Sequence, residues 1–141
     1  MISSTRGEYD KAISDLNEAL RLNPKFARAY WQRGVAYANT MQRELASADY
    51  GEAIRLDPKL ASAHLDRGNL FAAKGDYSRA IADFDAAIRI DPTLAEAYYS
   101  RGVSHAKKGN RGRAAEDYRK AVQLNPNHPH ARRELDAIST R

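Results

Sequence analysis

The sequence predicts an all-α chain: a right-handed superhelical solenoid of antiparallel helix hairpins, an α-α superhelix. Three observations predict it. Proline stands at 24, 58, 92 and 126, a constant interval of 34 residues. Small residues keep the same phase in the columns Gly34, Gly68, Gly102; Ala12, Ala46, Ala80, Ala114; and Ala19, Ala53, Ala87, Ala121. Large side chains keep it too, in Leu16, Tyr50, Phe84 and Tyr118. A period of this length marks stacked supersecondary units rather than a fold around one catalytic pocket.

Residues 1–26 read as a partial unit. Tyr9, Ala12, Ile13, Leu16, Ala19 and Leu20 trace an apolar stripe over residues 8–22, which begins after Gly7 and has the pattern of a second helix with no first helix ahead of it. Residues 27–60, 61–94 and 95–128 are three full units. In 61–94 the set Ala61, Leu65, Gly68, Phe71, Ala72 recurs at helical spacing. Lys74-Gly75-Asp76 ends that helix and starts the next, because glycine suits the residue past a helix end and aspartate suits an N-cap. Tyr77, Ala80, Ile81, Phe84, Ala87 and Ile88 form the second stripe. Asp91-Pro92 closes it, since the residue before proline leaves the α region. Asn23-Pro24, Asp57-Pro58 and Asn125-Pro126 repeat the signal. At the matching inner turn of 27–60 stands Met41-Gln42-Arg43, which breaks the Gly-Asp pattern. Residues 129–141 hold a polar closing helix from Pro129 to about Ser139, giving eight helices in all.

This pattern resembles the tetratricopeptide repeat. Its residues are Tyr30, Gly34, Tyr37, Ala46, Tyr50, Ala53 and Pro58 in one unit, and His64, Gly68, Phe71, Ala80, Phe84, Ala87 and Pro92 in the next. In the last full unit they are Tyr98, Gly102, His105, Ala114, Tyr118, Ala121 and Pro126, with His64 and His105 replacing bulkier residues. Some members of that family clamp a C-terminal carboxylate with Lys, Asn and Arg. The corresponding positions here are Trp31, Val35, Asp66, Glu96 and Ser100, of which none is basic and two are acidic. The resemblance therefore does not extend to a clamp of that kind.

Composition limits the chemistry. With no cysteine, the chain has no disulfide, thiolate metal site or cysteine nucleophile. The start, Met1 to Arg6, lacks the apolar run of a signal peptide, and no stretch has the length of a membrane span, so a cytoplasmic location is expected. Net charge is +5, and its excess falls at the end: residues 1–94 carry 13 basic and 13 acidic side chains, residues 95–141 carry 10 and 5. That asymmetry points to an acidic partner near the C-terminal end, against the plainer reading of a solvated basic surface. Phosphate-loop, zincin and nucleophile-elbow motifs are absent, so neither an enzyme, a cofactor nor a metal is expected. His64 and His105 lie on core-facing stripes. His128-Pro129-His130 lacks a third ligand at suitable spacing. Asp83 and Asp85 form a D-x-D whose first member recurs in every unit, and Gly109 to Arg113 falls where the unit turns.

Two polar columns stand out. Arg33, Arg67 and Arg101 precede the helix glycines, while Asp15, Asp49, Asp83 and Asp117 lie on second helices. Antiparallel hairpins are expected to bring Arg33 to Asp49, Arg67 to Asp83 and Arg101 to Asp117 as guanidinium–carboxylate pairs, against the plainer reading that the aspartates are solvated residues of the outer face.

First helices line the concave side of such a stack, so their remaining residues form the candidate partner-binding groove: Arg28, Trp31, Val35, Asn39, Leu65, Asn69, Glu96, Tyr99, Val103 and Lys107. Trp31, Leu65 and Tyr99 recur every 34 residues as a large apolar ladder, which suits a protein or peptide with apolar side chains. The alternative is that they cover gaps between helices. On the leading helix Tyr9, Ala12 and Leu16 have no partner, and residues 8–22 are expected to self-associate as a two-fold dimer. Met1–Arg6 folding back, or another helix, would cover them instead.

The expected function is a non-enzymatic protein–protein interaction scaffold, with no membrane association. Two alternatives remain: a nucleic-acid-binding helical solenoid, or a regulatory module cut from a larger enzyme or receptor. Sequence-specific nucleic-acid binding is not expected, because the ladder is apolar and the basic residues gather at turns and the closing helix.

Overall fold

The computed structural model describes residues 2–139. These residues form α1 (Ile2–Leu22), α2 (Ala27–Asn39), α3 (Arg43–Leu56), α4 (Ala61–Ala73), α5 (Tyr77–Ile90), α6 (Ala95–Lys107), α7 (Arg111–Leu124) and α8 (Ala131–Ser139). The chain divides into two compact units, residues 1–67 and 68–141, with the boundary inside α4. In the first unit α2 packs between α1 and α3. In the second α6 packs between α5 and α7, and α8 lies on α7.

The Pro-marked turns share one device. The side-chain oxygens of Asn23, Asp57, Asp91 and Asn125 accept from the backbone N–H two residues on, at 3.2, 3.2, 3.0 and 3.2 Å. These Asx turns explain why only Asn or Asp precedes the proline. The inner turns share another. The N–H groups of Gln42, Asp76 and Asn110 reach back to the carbonyls of Tyr37, Phe71 and His105, closing Schellman motifs. The residue between helices is then left-handed, at φ +82° for Gly75 and +85° for Gly109. Met41 takes the same conformation at φ 62°, so the turn that breaks the Gly-Asp pattern forms against side-chain preference. The N-caps differ in step. Asp76 and Asn110 accept from Arg79 and Arg113 N–H at 3.3 Å, whereas Gln42 makes no capping bond.

Glycine sets the helix approach inside each hairpin. A Cβ at Gly34 would meet the Tyr50 ring at 2.6 Å, one at Gly68 the Phe84 ring at 2.7 Å, and one at Gly102 the Tyr118 ring at 2.8 Å. The alanine columns fill the remaining contact: Ala46, Ala53, Ala80, Ala87, Ala114 and Ala121 are fully buried.

One expected boundary is corrected. The leading helix does not begin after Gly7 but runs from Ile2, and Gly7 is helical with open space where a side chain would stand. Unlike Gly75 and Gly109, Gly7 does not take a positive φ, and the helical hydrogen-bond ladder continues through it. Residues 2–6 therefore extend α1 instead of folding back over it, and Met1 lies outside the described residues. Arg6 Nη1 lies 3.4 Å from the Thr40 carbonyl at the end of α2.

Candidate partner-binding surfaces

In the first unit the stripe Arg28, Trp31, Val35 and Asn39 runs along α2, with Arg28 and Asn39 exposed and Trp31 and Val35 half-buried. Leu65 on α4 is half-buried as well. The Trp31 ring packs, with Tyr30 and Ile54, against the cluster of Ala53, Leu60 and Ala63. Its Nε1–H donates to Asp66 at 2.7 Å. Burial raises the Asp66 carboxyl above its ordinary range, and the Trp31 bond partly opposes that. Trp31 is thus a fixed anchor with its polar edge already satisfied.

In the second unit Tyr99, Val103 and Lys107 follow one another at four-residue spacing along α6, while Asn69 on α4 is exposed. Tyr99 packs against Tyr98, Ala121 and Ala131, and its ring centroid lies 4.7 Å from His128 and 6.0 Å from Tyr118. Glu96 accepts from His128 Nε2 at 2.7 Å. The other ring nitrogen, Nδ1, accepts from the N–H groups of His130 and Ala131 at 3.2 and 3.1 Å. That fixes the tautomer: Nδ1 is the acceptor and Nε2 carries the hydrogen. His128 is therefore the cap of α8 and the tie between α8 and α6.

The sequence reading missed this role, although a signal existed. His128 stands in the column Phe26, Leu60, Leu94, one residue per repeat just before each first helix. It is the polar exception there.

The two charge pairs whose members lie in one unit both form. Arg33 Nε and Nη2 donate to the two oxygens of Asp49 at 2.8 Å each. Arg101 does the same to Asp117, at 2.9 and 2.7 Å. Arg67 and Asp83 fall in different units. Each of the two forks has a third contact that was not anticipated: Arg33 Nη1 reaches Asn17 at 2.9 Å and Arg101 Nη1 reaches Asp85 at 2.9 Å. Asn17 and Asp85 lie sixteen residues before the arginine, on the preceding second helix, as Asp49 and Asp117 lie sixteen after it. The arginines also sit over aromatic faces, Arg33 at 5.5 Å from the Tyr30 centroid and Arg101 at 5.5 Å from Tyr98.

His64 and His105 are buried as expected. His64 Nε2 lies 3.1 Å from the Pro58 carbonyl. Burial lowers the His105 pKa, against the pull of Asp117. Among the described residues no group of three or more His, Asp or Glu gathers to hold a metal ion. No described helix is long and apolar enough to cross a membrane.

Helix hairpins of fixed period, locked by glycine–aromatic contacts and ion pairs, define a repeat protein of the helix-turn-helix class. Residues 5–40, 42–75 and 68–109 match the family model described as TPR repeat, and residues 95–128 match the Tetratricopeptide repeat model. The chain belongs to the tetratricopeptide repeat family. Among similar solved structures is the TPR domain of Arabidopsis OM64, 25% identical over 81% of this chain and 94% of that one, at a TM-score of 0.78. MamA from Desulfovibrio magneticus RS-1 is 24% identical over 97% of this chain and 77% of that one, at a TM-score of 0.86. The first TPR of Spaghetti (RPAP3), bound to the HSP90 peptide SRMEEVD, is 23% identical over 81% of this chain and 90% of that one, at 0.78. The last two likenesses show the fold alone. No curated protein matches the sequence.

Proposed function

We propose that this protein is a non-enzymatic interaction scaffold that binds a peptide or partner segment on its first-helix faces. The observation that carries this reading is the α6 stripe. Tyr99 is held by ring contacts and packing, Val103 beside it is half-buried, and Lys107 and Glu96 border it as exposed charges. A rigid aromatic with apolar neighbours and a charged rim is the make-up of a peptide anchor, because little ordering cost remains at binding. Trp31, Val35, Arg28 and Asn39 repeat the arrangement on α2, and Leu65 and Asn69 belong to the same set. The peptide carries apolar side chains, with an acidic group for Lys107.

RPAP3 is bound to a peptide ending in EEVD. That tail does not suit this chain. At the clamp positions stand Asp66, held by Trp31, and Glu96, held by His128. Each of these positions presents an acidic side chain, which disfavours a ligand carboxylate beside it.

Peptides selected from a random library against the whole chain test the reading, with affinity measured by fluorescence anisotropy. Val103→Asp should weaken binding about tenfold or more without moving the melting temperature. Selected peptides that ignore Val103→Asp, or salt-resistant binding of RNA or DNA in the same assay, would displace it.

A further inference from the structure

Helices α2, α4, α6 and α8 each carry a fully buried alanine at the same repeat position: Ala29, Ala63, Ala97 and Ala131. The N–H groups of the first three donate to the backbone carbonyls of Phe26, Leu60 and Leu94, at 3.1 Å each. The N–H of Ala131 donates instead to a side chain, His128 Nδ1, at 3.1 Å, and the His130 N–H reaches the same nitrogen at 3.2 Å. Phe26, Leu60 and Leu94 hold no titratable group, so pH does not act on those joints. His128 is 7% exposed and its ring titrates. An imidazole that takes a second proton carries hydrogen on both nitrogens and accepts at neither. Protonation of His128 therefore turns an N–H at Nδ1 towards two backbone N–H groups. The Nε2–H bond to Glu96, 2.7 Å long, becomes charge-assisted in the same step. The hold on α8 is lost while the hold on α6 strengthens.

We propose that His128 is a proton-operated latch on the peptide face of α6, releasing the first turn of α8 when Nδ1 is protonated. The proposal rests on the peptide-binding reading of Tyr99. That ring packs against Ala131 and lies 4.7 Å from the His128 centroid and 6.0 Å from that of His130. When the first turn of α8 moves, Tyr99 loses Ala131 and His130 as its wall, and ordering it again costs binding free energy. The groups around the latch set its response. From α6 come Glu96 and Tyr99, with Tyr118 of α7 behind Tyr99 at 6.0 Å. From α8 come His130, its centroid 6.2 Å from that of His128, Arg133, which donates to His130 Nδ1 at 3.1 Å, and Glu134, whose charge acts on Tyr99. The two glutamates attract the imidazolium, whereas Arg133 and a charged His130 repel it.

The test is an NMR titration of the whole ¹⁵N,¹³C-labelled chain from about pH 8 to pH 5, the range in which histidine changes charge. Without peptide, the amide shifts of His130 and Ala131 and the helical carbon shifts of α8 should move with the same midpoint as the His128 ring carbons. Glu96→Gln keeps an acceptor for Nε2–H but removes the charge, and should carry both midpoints to lower pH together. His130→Ala should leave the coupled response standing. His128→Leu, copying Leu60 and Leu94, should remove the response of α8 with its helical shifts retained. With a library-selected peptide, affinity should fall about tenfold across the range, as for a lost hydrogen bond, and His128→Leu should remove the fall. An α8 that ignores the His128 titration, or midpoints that stay in place in Glu96→Gln, would overturn the latch even if His128→Leu fails to fold. An α8 that responds while peptide affinity holds steady would overturn its control of the peptide face. Absence of peptide binding at every pH would count against the reading of the first-helix faces, and the peptide-free titration would still decide the latch.

Discussion

Arg33 grips Asp49 with two parallel hydrogen bonds of 2.8 Å, and the carboxylate is 8% exposed. The pair joins α2 to α3 inside one hairpin, and Nη1 carries the link on to Asn17 of α1. Asp49→Asn should cost about 2–3 kcal/mol in urea unfolding, because it leaves the guanidinium half-buried without its counter-charge. Arg33→Met with Asp49→Leu should recover most of that loss. A double variant as unstable as the sum of its singles would show that the pair is not a coupled unit.

Two glycines of similar setting in the sequence should respond with opposite sign. Gly34→Ala drives a methyl into the Tyr50 ring, and overpacking outweighs the gain in helix propensity, for a net loss of about 1–2 kcal/mol. Gly51→Ala meets only the Arg67 guanidinium at 3.9 Å and should gain about 0.5–1 kcal/mol. Thermal melts of the two variants check both signs.

The inner turn of 27–60 lacks what its siblings have. Met41 holds a left-handed conformation and Gln42 does not cap α3. Met41→Gly with Gln42→Asp, copying Gly75-Asp76, should stabilise by about 1–2 kcal/mol. No change in the denaturation midpoint would mean that the strain is relieved locally.

Stability should fall at both ends of the pH range for identifiable reasons. Burial holds the His105 pKa below 6.5, so its neutral form favours the fold above that pH, and the contribution is lost as pH falls below it. Tyr118 is pushed up from 10.0 to about 12, first by burial and then by Glu134. Its contribution is present below pH 10.0 and is lost as pH rises towards about 12. His105→Phe should flatten the acid limb and Tyr118→Phe the alkaline limb of a melting-temperature profile.

Much of this was legible in the sequence because a 34-residue period repeats each constraint. The Arg33–Asp49 and Arg101–Asp117 pairs follow from residue levels in a hairpin. Three features were not legible. Helix α1 runs through Gly7, because glycine permits a left-handed turn but does not require one. The third arm of each guanidinium reaches the preceding second helix, at Asn17 and Asp85, where the column Asn17, Gly51, Asp85, Arg119 shows no common chemistry. His128 breaks an apolar column, and only the positions of Glu96 and Ala131 reveal it as a cap.

The most direct test of the interaction reading is an amide-shift map of the whole chain titrated with a library-selected peptide. The account predicts saturable shifts centred on Trp31 and Val35 in the first unit and on Tyr99, Val103 and Lys107 in the second. Shifts centred instead on the outer side chains of α7 and α8, at Arg119, Lys120 and Arg132, would contradict it.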